Sequence, residues 1–452
     1  MNNATSAKSA AAQGTQDLAP SPPFAEALRT WALIGVTSFG GPAGQIALMH
    51  KILVDEKRWI SERVYLLALN FCTLLPGPEA MQLATYAGWR LHGLAGGLAA
   101  GLLFVLPGAL LILLLSILYA LYGNLPLVSA AFLGIKAAVL AIVIEALLRI
   151  SRRSLKHKAE WVIAAGAFFS IYFLKVPFPI IVLAAGTVGL FLSHDAADPS
   201  AASTVPAAPV SFAATALTAG TWLAIWLLPL AVIAAVAGHD HVLVKLALFF
   251  SKLAVVTFGG AYAVLAYMAQ DVVQHYGWLK PGEMLDGLGL AETTPGPLIL
   301  VTEFVGFLAA YRAGGGSMLM GILGAAVVLW STFAPCFLWI FTGAPYIERI
   351  ANMPRLKSAL SAITAAVTGV ILNLSVWFSL HVIFADVPEA IAGPLRFSYP
   401  VLSSIDWLTA GLAALAALML FKMHVGMIRV LAICAALSLL AAGASTINSS
   451  AP

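Results

Sequence analysis

Four carboxylates and two lysines lie inside otherwise apolar runs of the sequence, and they are the side chains best placed to do chemistry. They are Glu79, Glu145, Glu292, Glu303, Lys136 and Lys252. A charge within a bilayer costs at least ~2.5 kcal/mol on insertion scales, so residues of this kind point to a function. The lysines could attract an anion, and the carboxylates could bind a coupling proton. The alternative is an internal Lys–Glu pair, or side chains that reach an interface with water.

Two glycine and proline motifs recur in the sequence at a constant step. Phe39-Gly40-Gly41 recurs as Phe258-Gly259-Gly260, and Pro76-Gly77-Pro78 recurs as Pro295-Gly296-Pro297 (258 − 39 = 295 − 76 = 219). Farther along the chain the step is 228, from Pro107 to Pro335 (335 − 107 = 228). The second half therefore carries a nine-residue insertion. In so apolar a chain, this repeat predicts a transporter that holds its substrate between the two halves.

Each of these motifs interrupts a helix, because proline removes a backbone donor and glycine opens the turn. A helix that begins after Pro-Gly-Pro presents free N–H groups, which bind anions without any side chain. We therefore predict that both motif pairs form the substrate site together with Lys252, and that Glu79, Glu292, Glu303 and Lys136 are the coupling candidates. The predicted site residues in the motifs are Phe39, Gly40, Gly41, Pro76, Gly77, Pro78, Phe258, Gly259, Gly260, Pro295, Gly296 and Pro297. The alternative is that the motifs only shape kinks for helix packing.

Composition indicates a membrane protein and not an enzyme. Hydrophobic residues make up 61% of the chain and charged residues 10%, whereas soluble domains carry roughly 25% charged residues. The sequence contains no HExxH, CxxC, Walker A or GxSxG motif, and its histidines form no ligand cluster. We therefore expect no metal site, no cofactor and no catalytic residue. The net charge of +4 is small for this length, so we expect no nucleic-acid partner.

Basic residues predict the orientation of the chain, because Lys and Arg are retained on the cytoplasmic side. Two basic segments, Lys51–Arg63 and Arg149–Lys158, flank an uncharged loop in the first half. In the second half the bias is reversed, because Asp271–Glu283 has one lysine and Pro345–Lys357 has three basic residues. Corresponding loops thus prefer opposite sides. The prediction is an all-α polytopic protein of the plasma (bacterial inner) membrane, built from two inverted-topology repeats.

Parity predicts a re-entrant hairpin in each repeat. Three apolar segments separate the two basic segments of the first half, yet an even number of crossings must do so. Residues 64–89 are the natural re-entrant segment, because Pro76-Gly77-Pro78 divides them into two legs. Residues 24–50 could form a second hairpin. We divide the chain into a disordered cytoplasmic tail (1–23), a first repeat (24–193), a polar loop with a linking transmembrane helix (194–241) and a second repeat (242–445).

The paired motifs resemble those of the chromate ion transporter family in its long, two-domain form. The resemblance rests on Ser38 to Pro42, Trp59 and Leu75 to Glu79 with Gln82 shortly after, and on Phe258 to Gly260 and Glu292 to Leu298 in the second half. It covers residues 24 to 440 and adds Gln82 to the predicted substrate site. The family implies export of chromate, a sulfate-like tetrahedral dianion, driven by the membrane gradient and not by ATP. The expected partners are chromate, sulfate as a competitor, and the lipid bilayer. A sulfate or other anion transporter or channel on the same scaffold is the alternative, and a homodimer is left open.

Overall fold

Sixteen α-helices, joined mostly by short turns, make up the described part of the chain. The structure is a computed structural model that describes residues 20–191, 211–256, 258, 261–347 and 353–449. Most of the predicted tail (1–19) and of the predicted polar loop (192–210) lies outside these residues. Several helices begin at a side chain that accepts a backbone N–H group, as at Ser61, Ser211 and Asp406.

The first half contains α1 to α7, and α8 links it to the second half. The bounds are Phe24–Thr37 (α1), Gly41–His50 (α2), Glu62–Cys72 (α3), Glu79–Tyr122 (α4), Pro126–Ser154 (α5), Lys158–Tyr172 (α6), Phe178–Phe191 (α7) and Phe212–Ala237 (α8). A π-helix, Lys51–Glu56, continues α2.

The second half contains α9 to α16 and one small β-hairpin. The bounds are Val242–Val256 (α9), Ala261–Gln270 (α10), Pro281–Thr293 (α11), Val301–Ala313 (α12), Met318–Gly343 (α13), Pro354–Ile383 (α14), Glu389–Ala392 (β1), Leu395–Ser398 (β2), Trp407–Phe421 (α15) and Met427–Ser449 (α16). A π-helix, Asp271–His275, continues α10, and short 3-10 turns occur at Leu298–Leu300, Ala344–Tyr346 and Leu402–Ser404. The antiparallel strands pair Glu389 with Ser398 and Ala392 with Leu395.

Within the described ranges, six helices are long and apolar enough to cross a bilayer, namely α4, α5, α8, α13, α14 and α16. Helices α7 and α15 are shorter apolar helices. Large apolar side chains also face outward, and on α8 Leu217 is 73% exposed and Val236 is 83% exposed. Lipid tails solvate such surfaces where water would not. The prediction of an all-α polytopic membrane protein is confirmed.

The two halves repeat the same backbone details at the predicted step. In the first half the amide of Trp59 donates to the carbonyl of Leu53 at 2.9 Å, beside a π-helix. In the second half the amide of Trp278 donates to the carbonyl of Val272 at 2.9 Å, beside the other π-helix. The two tryptophans are 219 residues apart, and so are Leu53 and Val272, whose carbonyls accept these bonds. The sequence repeat is therefore also a repeat of local structure.

Helix α4 is two antiparallel arms, residues 79–91 and 94–122. The backbone leaves helical geometry at His92 and Gly93, where Gly93 has φ 61°. Gly88 consequently lies against the carbonyl of Gly96, and Thr85 lies against Gly101. In a continuous helix Thr85 and Gly101 would be ~24 Å apart. The same turn occurs between α12 and α13, where Gly324 lies against Gly306.

The second Pro-Gly-Pro motif is the tip of a helical hairpin whose legs are α11 and α12. The legs touch directly, because Gly287 of α11 faces the ring of Phe304 in α12. The tip packs at Gly108 on the second arm of α4, whereas the legs reach Tyr119 on the same arm. Gly108 and Tyr119 are ~16 Å apart along the helix. Both legs therefore leave the tip in the same direction.

The first Pro-Gly-Pro motif packs in the related way against α13. Gly77 at the tip faces Sγ of Cys336, and Phe71 of α3 packs against Gly343, farther along α13. The first arm of α4 runs toward that same end, because Thr85 lies at Gly97 and Gly101 beside Phe337 and Phe341. The legs here are α3 and the first arm of α4. Pro107 in α4 and Pro335 in α13 lie inside these helices, each directly before the residue that faces a tip.

The two hairpins open toward opposite ends of the helix bundle. Phe337 packs against Gly101 and Phe341 against Gly97, so α13 runs antiparallel to the second arm of α4. Each hairpin opens toward the carboxyl end of the helix that its tip contacts, and those carboxyl ends are opposite. This packing supports re-entrant hairpins and inverted repeats, and both stay predictions.

The terminal helix pairs of the halves are exchanged. Helices α6 and α7 follow α5 in sequence but pack against α14, while α15 and α16 follow α14 but pack against α5. Glycines permit the close approach, since Gly134 of α5 meets the carbonyl of Cys434 and Gly369 of α14 meets that of Ala164. The halves are thereby interlocked around α5 and α14.

The basic segment at residues 149–158 is partly helical, because α5 continues to Ser154. Arginine favours helices, and Arg152 and Arg153 are exposed, so this end of the helix needs no apolar neighbours. Arg149 and Arg153 are thus held on one helix face, four residues apart.

Candidate functional site

Two neighbouring cavities lie where the first half meets the second. Cavity A has a volume of about 300 Å³, and cavity B has a volume of about 270 Å³. Arg149 and Tyr262 line both cavities. The polar residues and the residues of the sequence motifs that line cavity A are Pro42, Thr73, Glu79, Arg149, Arg153, Ser154, Tyr262 and Thr364. Those that line cavity B are Gly40, Glu145, Arg149, Tyr262, Glu292 and His424.

The end of α5 supplies the positive charge of cavity A. Arg149 Nη2 lies 2.6 Å from Glu145 Oε1, so this guanidinium is already paired within α5. Arg153 has no ion-pair or hydrogen-bond partner among the described residues and is exposed. A guanidinium presents several N–H donors in one plane, which suits the oxygens of a tetrahedral oxyanion. Arg153 is therefore the more available of the two guanidinium groups to an anion, and Glu79 of the same cavity is the acidic group that attracts it.

The first Phe-Gly-Gly motif brings the start of α2 to the cavities. Gly40 is the N-cap and has φ 88°, a left-handed conformation that glycine adopts without strain. Pro42 follows in the first turn, where its fixed φ suits the helix and its missing N–H costs nothing. Pro42 and Ala43 line cavity A. The first turn of α2 adds the partial positive charge of a helix N-terminus to this wall.

The hydroxyl groups of cavity A are bound to neighbouring protein atoms. Thr73 Oγ1 donates to the carbonyl of Asn70 at 2.8 Å, and Thr364 Oγ1 donates to that of Leu360 at 2.8 Å. Ser154 Oγ lies 2.9 Å from the carbonyl of Ile150 and 2.8 Å from Thr368 Oγ1. These hydroxyls must rotate before they can donate to a ligand. The guanidinium groups are therefore the principal donors of this cavity.

The two cavities differ in how many carboxylates line them. Cavity A has Arg149 and Arg153 against Glu79 alone. Cavity B has Arg149 against Glu145 and Glu292, and Glu292 Oε1 accepts a hydrogen bond from Tyr262 at 2.9 Å. Cavity A therefore offers an anion more positive charge than cavity B does. No three His, Cys, Asp or Glu side chains within the described ranges are grouped closely enough to hold a metal ion.

The Pro-Gly-Pro tips are buried and line neither cavity. Pro76, Gly77 and Pro78 are buried, and Gln82 Nε2 donates to the carbonyl of Pro76 at 2.7 Å. Gln82 is itself buried and lines neither cavity. Glu79, directly after this tip, does reach cavity A. The residue beside the tip thus faces the cavity while the tip itself is packed.

The second tip is bonded to the break of the first half. The amide of Gly296 donates to the carbonyl of Ser38 at 2.9 Å, and Gln45 Nε2 donates to the carbonyl of Gly296 at 2.6 Å. Pro295 and Pro297 are buried beside Gly296. The structure therefore joins one predicted motif of each half, residues 38–40 and residues 295–297. Phe39, next to this contact, is 40% exposed and lines neither cavity.

The predicted lysines lie away from the cavities. Lys252 is exposed, with Nζ 5.9 Å from the ring centre of Tyr267. Lys136 Nζ lies 3.3 Å from Asp286 Oδ2, an internal ion pair like the alternative interpretation but with an aspartate in place of the expected glutamate. Glu303 is 1% exposed, and its Oε2 has no hydrogen-bond partner. Phe258 is half-buried outside both cavities, and Gly259 and Gly260 lie outside the described residues.

Sequence reasoning missed the arginines of the cavity. Arg149 and Arg153 were interpreted only as markers of the cytoplasmic side. Their spacing of four residues at the end of a 29-residue apolar helix was the available signal. Tyr262 gave no local signal. It follows the second Phe-Gly-Gly motif, and its hydroxyl donates to Glu292, 30 residues farther along the chain.

Comparison with known proteins gives a family assignment. The family described as "Chromate transporter" matches residues 25–190 and 244–439. A protein of Pseudomonas aeruginosa named "Chromate transport protein" is 35% identical, over 80% of this chain and 83% of its own length. A "Probable chromate transport protein" of Synechococcus elongatus is 31% identical, over 80% of this chain and 85% of its own length.

More distant similarity extends to an uncharacterized transporter of Methanocaldococcus jannaschii, which is 25% identical over 77% of this chain. No solved structure matches the chain. The two matched segments coincide with the two halves that carry the paired motifs, and together they span most of the sequence. The protein belongs to the chromate transporter family, whose members are multi-pass membrane transport proteins and not enzymes.

Proposed function

We propose that this protein exports chromate from the cytoplasm and that the anion loads into cavity A. The observation that carries this proposal is the pair of guanidinium groups, Arg149 and Arg153, one helical turn apart on one cavity wall. The first turn of α2 adds further positive potential. A tetrahedral dianion fits these donors. Sulfate has the same shape and charge, so we propose that it competes for the site.

The charge around the cavities supports loading from the cytoplasm. Both cavities lie at the end of α5 that carries Arg149, Arg152 and Arg153, and cavity B is also lined by the turn between α15 and α16. That turn carries Lys422 and His424. Basic residues at the ends of spans are retained in the cytoplasm. A site open on this side can receive an anion that is then released outside.

The repeat supports an exit on the other side. The 228-residue step relates Glu145 to Asn373 and Arg149 to Trp377. Asn373 and Trp377 line cavity C, a space of only about 10 Å³ that is also lined by Lys175 and Ser398. Related positions thus face an open cavity in one half and a closed one in the other. Exchange of these two arrangements would give alternating access.

We propose that the membrane potential drives this export. The cytoplasm is electrically negative, so outward movement of a dianion is favourable without ATP. The lipid bilayer covers the outward apolar side chains of helices such as α8. A passive anion channel on the same scaffold is the alternative. A channel would be open to both sides at once, so cavity C would not be closed, and the anion flux would not saturate with concentration.

Uptake of labelled chromate into everted membrane vesicles tests the proposal. We expect saturable uptake that needs no ATP, falls when the membrane potential is collapsed, and is inhibited by sulfate. Arg153→Gln should raise the apparent KM for chromate about tenfold, since a charge-assisted hydrogen bond contributes ~1.5–3 kcal/mol. Arg152→Gln is the matched control, because Arg152 is the exposed neighbour that lines neither cavity.

Two results would contradict the proposal. Equal KM values for Arg152→Gln and Arg153→Gln would exclude cavity A as the loading site. Uptake by right-side-out vesicles alone would reverse the direction of transport. Flux that never saturates would favour the channel.

A further inference from the structure

We propose that Glu145 is a built-in competitor of the substrate, which the oxyanion must displace from Arg149. This inference rests on the proposed function and gives Glu145 a role other than the proton binding considered for the carboxylates of the apolar runs. Glu145 does not touch the anion. It sets how much of the Arg149 charge the anion can use.

Arg149 can either pair with Glu145 on the side of cavity B or face an anion in cavity A. Its guanidinium is 2.6 Å from Glu145 Oε1, and Arg149 lines both cavities. Glu145 lines only cavity B, and Arg153 lines only cavity A. While the Arg149–Glu145 pair is intact, Glu145 neutralises the positive charge of Arg149 on the side of cavity B. Side chains of Arg149 and Glu145 are 50% and 33% exposed, so neither is locked by packing.

The charges of cavity A show why the pair matters. With Arg149 neutralised by Glu145, the remaining charged groups of cavity A are Arg153 and Glu79, which balance. A dianion then meets a wall with no net positive charge. If Arg149 swings away from Glu145, cavity A gains one full positive charge. Binding of the dianion and release of Glu145 are therefore coupled.

The surroundings of Glu145 favour its return to Arg149. Across cavity B it faces Glu292, which accepts a hydrogen bond from Tyr262, together with His424 from the turn before α16. Two carboxylates that share a cavity without a cation repel each other. This repulsion drives Glu145 back to Arg149 once the anion can leave. Glu145 therefore weakens binding and speeds release, as a transporter requires.

Kinetics of purified protein in liposomes tests this role. Glu145→Gln should lower the KM for chromate roughly two- to tenfold, since paired charges of this exposure interact weakly to moderately. It should also lower kcat, because release becomes slower. Structural damage would raise KM instead of lowering it. Glu145→Asp, which keeps the charge, should remain close to wild type.

Glu283→Gln is the matched control. Arg312 Nη2 lies 2.6 Å from Glu283 Oε1, the same distance as in the Arg149–Glu145 pair, but these residues line neither cavity. Loss of this pair should leave KM unchanged. A folded Glu145→Gln variant with an unchanged or raised KM would overturn the inference.

The failure of the inference is distinguishable from failure of the proposed function. If Arg153→Gln raises KM while Glu145→Gln does not lower it, the site stands and the competition is wrong. If neither Arg149→Gln nor Arg153→Gln changes KM, cavity A is not the site.

Discussion

Gly108 is the position where one methyl group should disturb the second hairpin most. A Cβ built there would overlap the carbonyl oxygen of Pro295 and lie 2.6 Å from Leu300 Cδ1. The leucine end can move, but the carbonyl belongs to a buried tip that is also bonded to Ser38 and Gln45. Gly108→Ala must therefore displace the tip, and overpacking of this kind costs ~1–3 kcal/mol.

The assay compares Gly108→Ala with Gly166→Ala. Gly166 lies inside α6, and a Cβ there meets nothing within 4 Å. Alanine in an open helical position stabilises by ~0.5–1 kcal/mol relative to glycine. Tryptophan fluorescence of the purified protein, which has 11 tryptophans, reports the melting temperature. We expect Gly108→Ala to melt lower and to lose chromate transport, and Gly166→Ala to match or exceed wild type in both measurements.

The contrast between the two variants is what decides the result. If Gly108→Ala keeps the melting temperature and the transport rate of wild type, the second tip does not pack against the second arm of α4. The placement of that hairpin would then be wrong. Loss of stability in both variants would show instead that helical glycines are needed for a reason unrelated to the tip.

Three further predictions concern topology, coupling and a buried ion pair. Ser61→Cys and Lys280→Cys lie at the starts of the two hairpins, 219 residues apart, and should react with an impermeant thiol reagent from opposite sides of the membrane. The three native cysteines are buried, and labelling of both variants from the same side would contradict the inverted repeat. If Glu303 carries a coupled proton, Glu303→Gln, which removes a buried carboxyl whose Oε2 has no partner, should leave chromate binding intact and abolish export. Normal export would exclude Glu303 as a proton carrier and would fit export driven by the membrane potential alone. Lys136→Met leaves Asp286, which is 4% exposed at its side chain, without its cation and should destabilise the protein by ~3 kcal/mol. Addition of Asp286→Asn should restore part of that loss in a thermal melt, and no recovery would mean that Lys136 acts independently of Asp286.

The sequence was sufficient for features that depend on local backbone chemistry. Apolar runs identified the spans, and Pro76-Gly77-Pro78 and Pro295-Gly296-Pro297 identified the tips, because proline and glycine interrupt a helix wherever they occur. The 219-residue step predicted matching structure, and the hydrogen bonds of Trp59 and Trp278 bear it out. The π-helices gave no such signal in advance.

Tertiary structure decided which of these features face a cavity. The tips were predicted to bind the anion through free amides, but Gly77 and Gly296 are packed against Cys336 and Gly108, and their place in the substrate site stays a prediction. Arg153 instead faces cavity A, beside Tyr262 from the other half. That meeting depends on α14, because both α5 and α10 pack against it. Contacts between residues more than a hundred positions apart follow from the packing of whole helix faces, and a local pattern carries no record of which face will meet which.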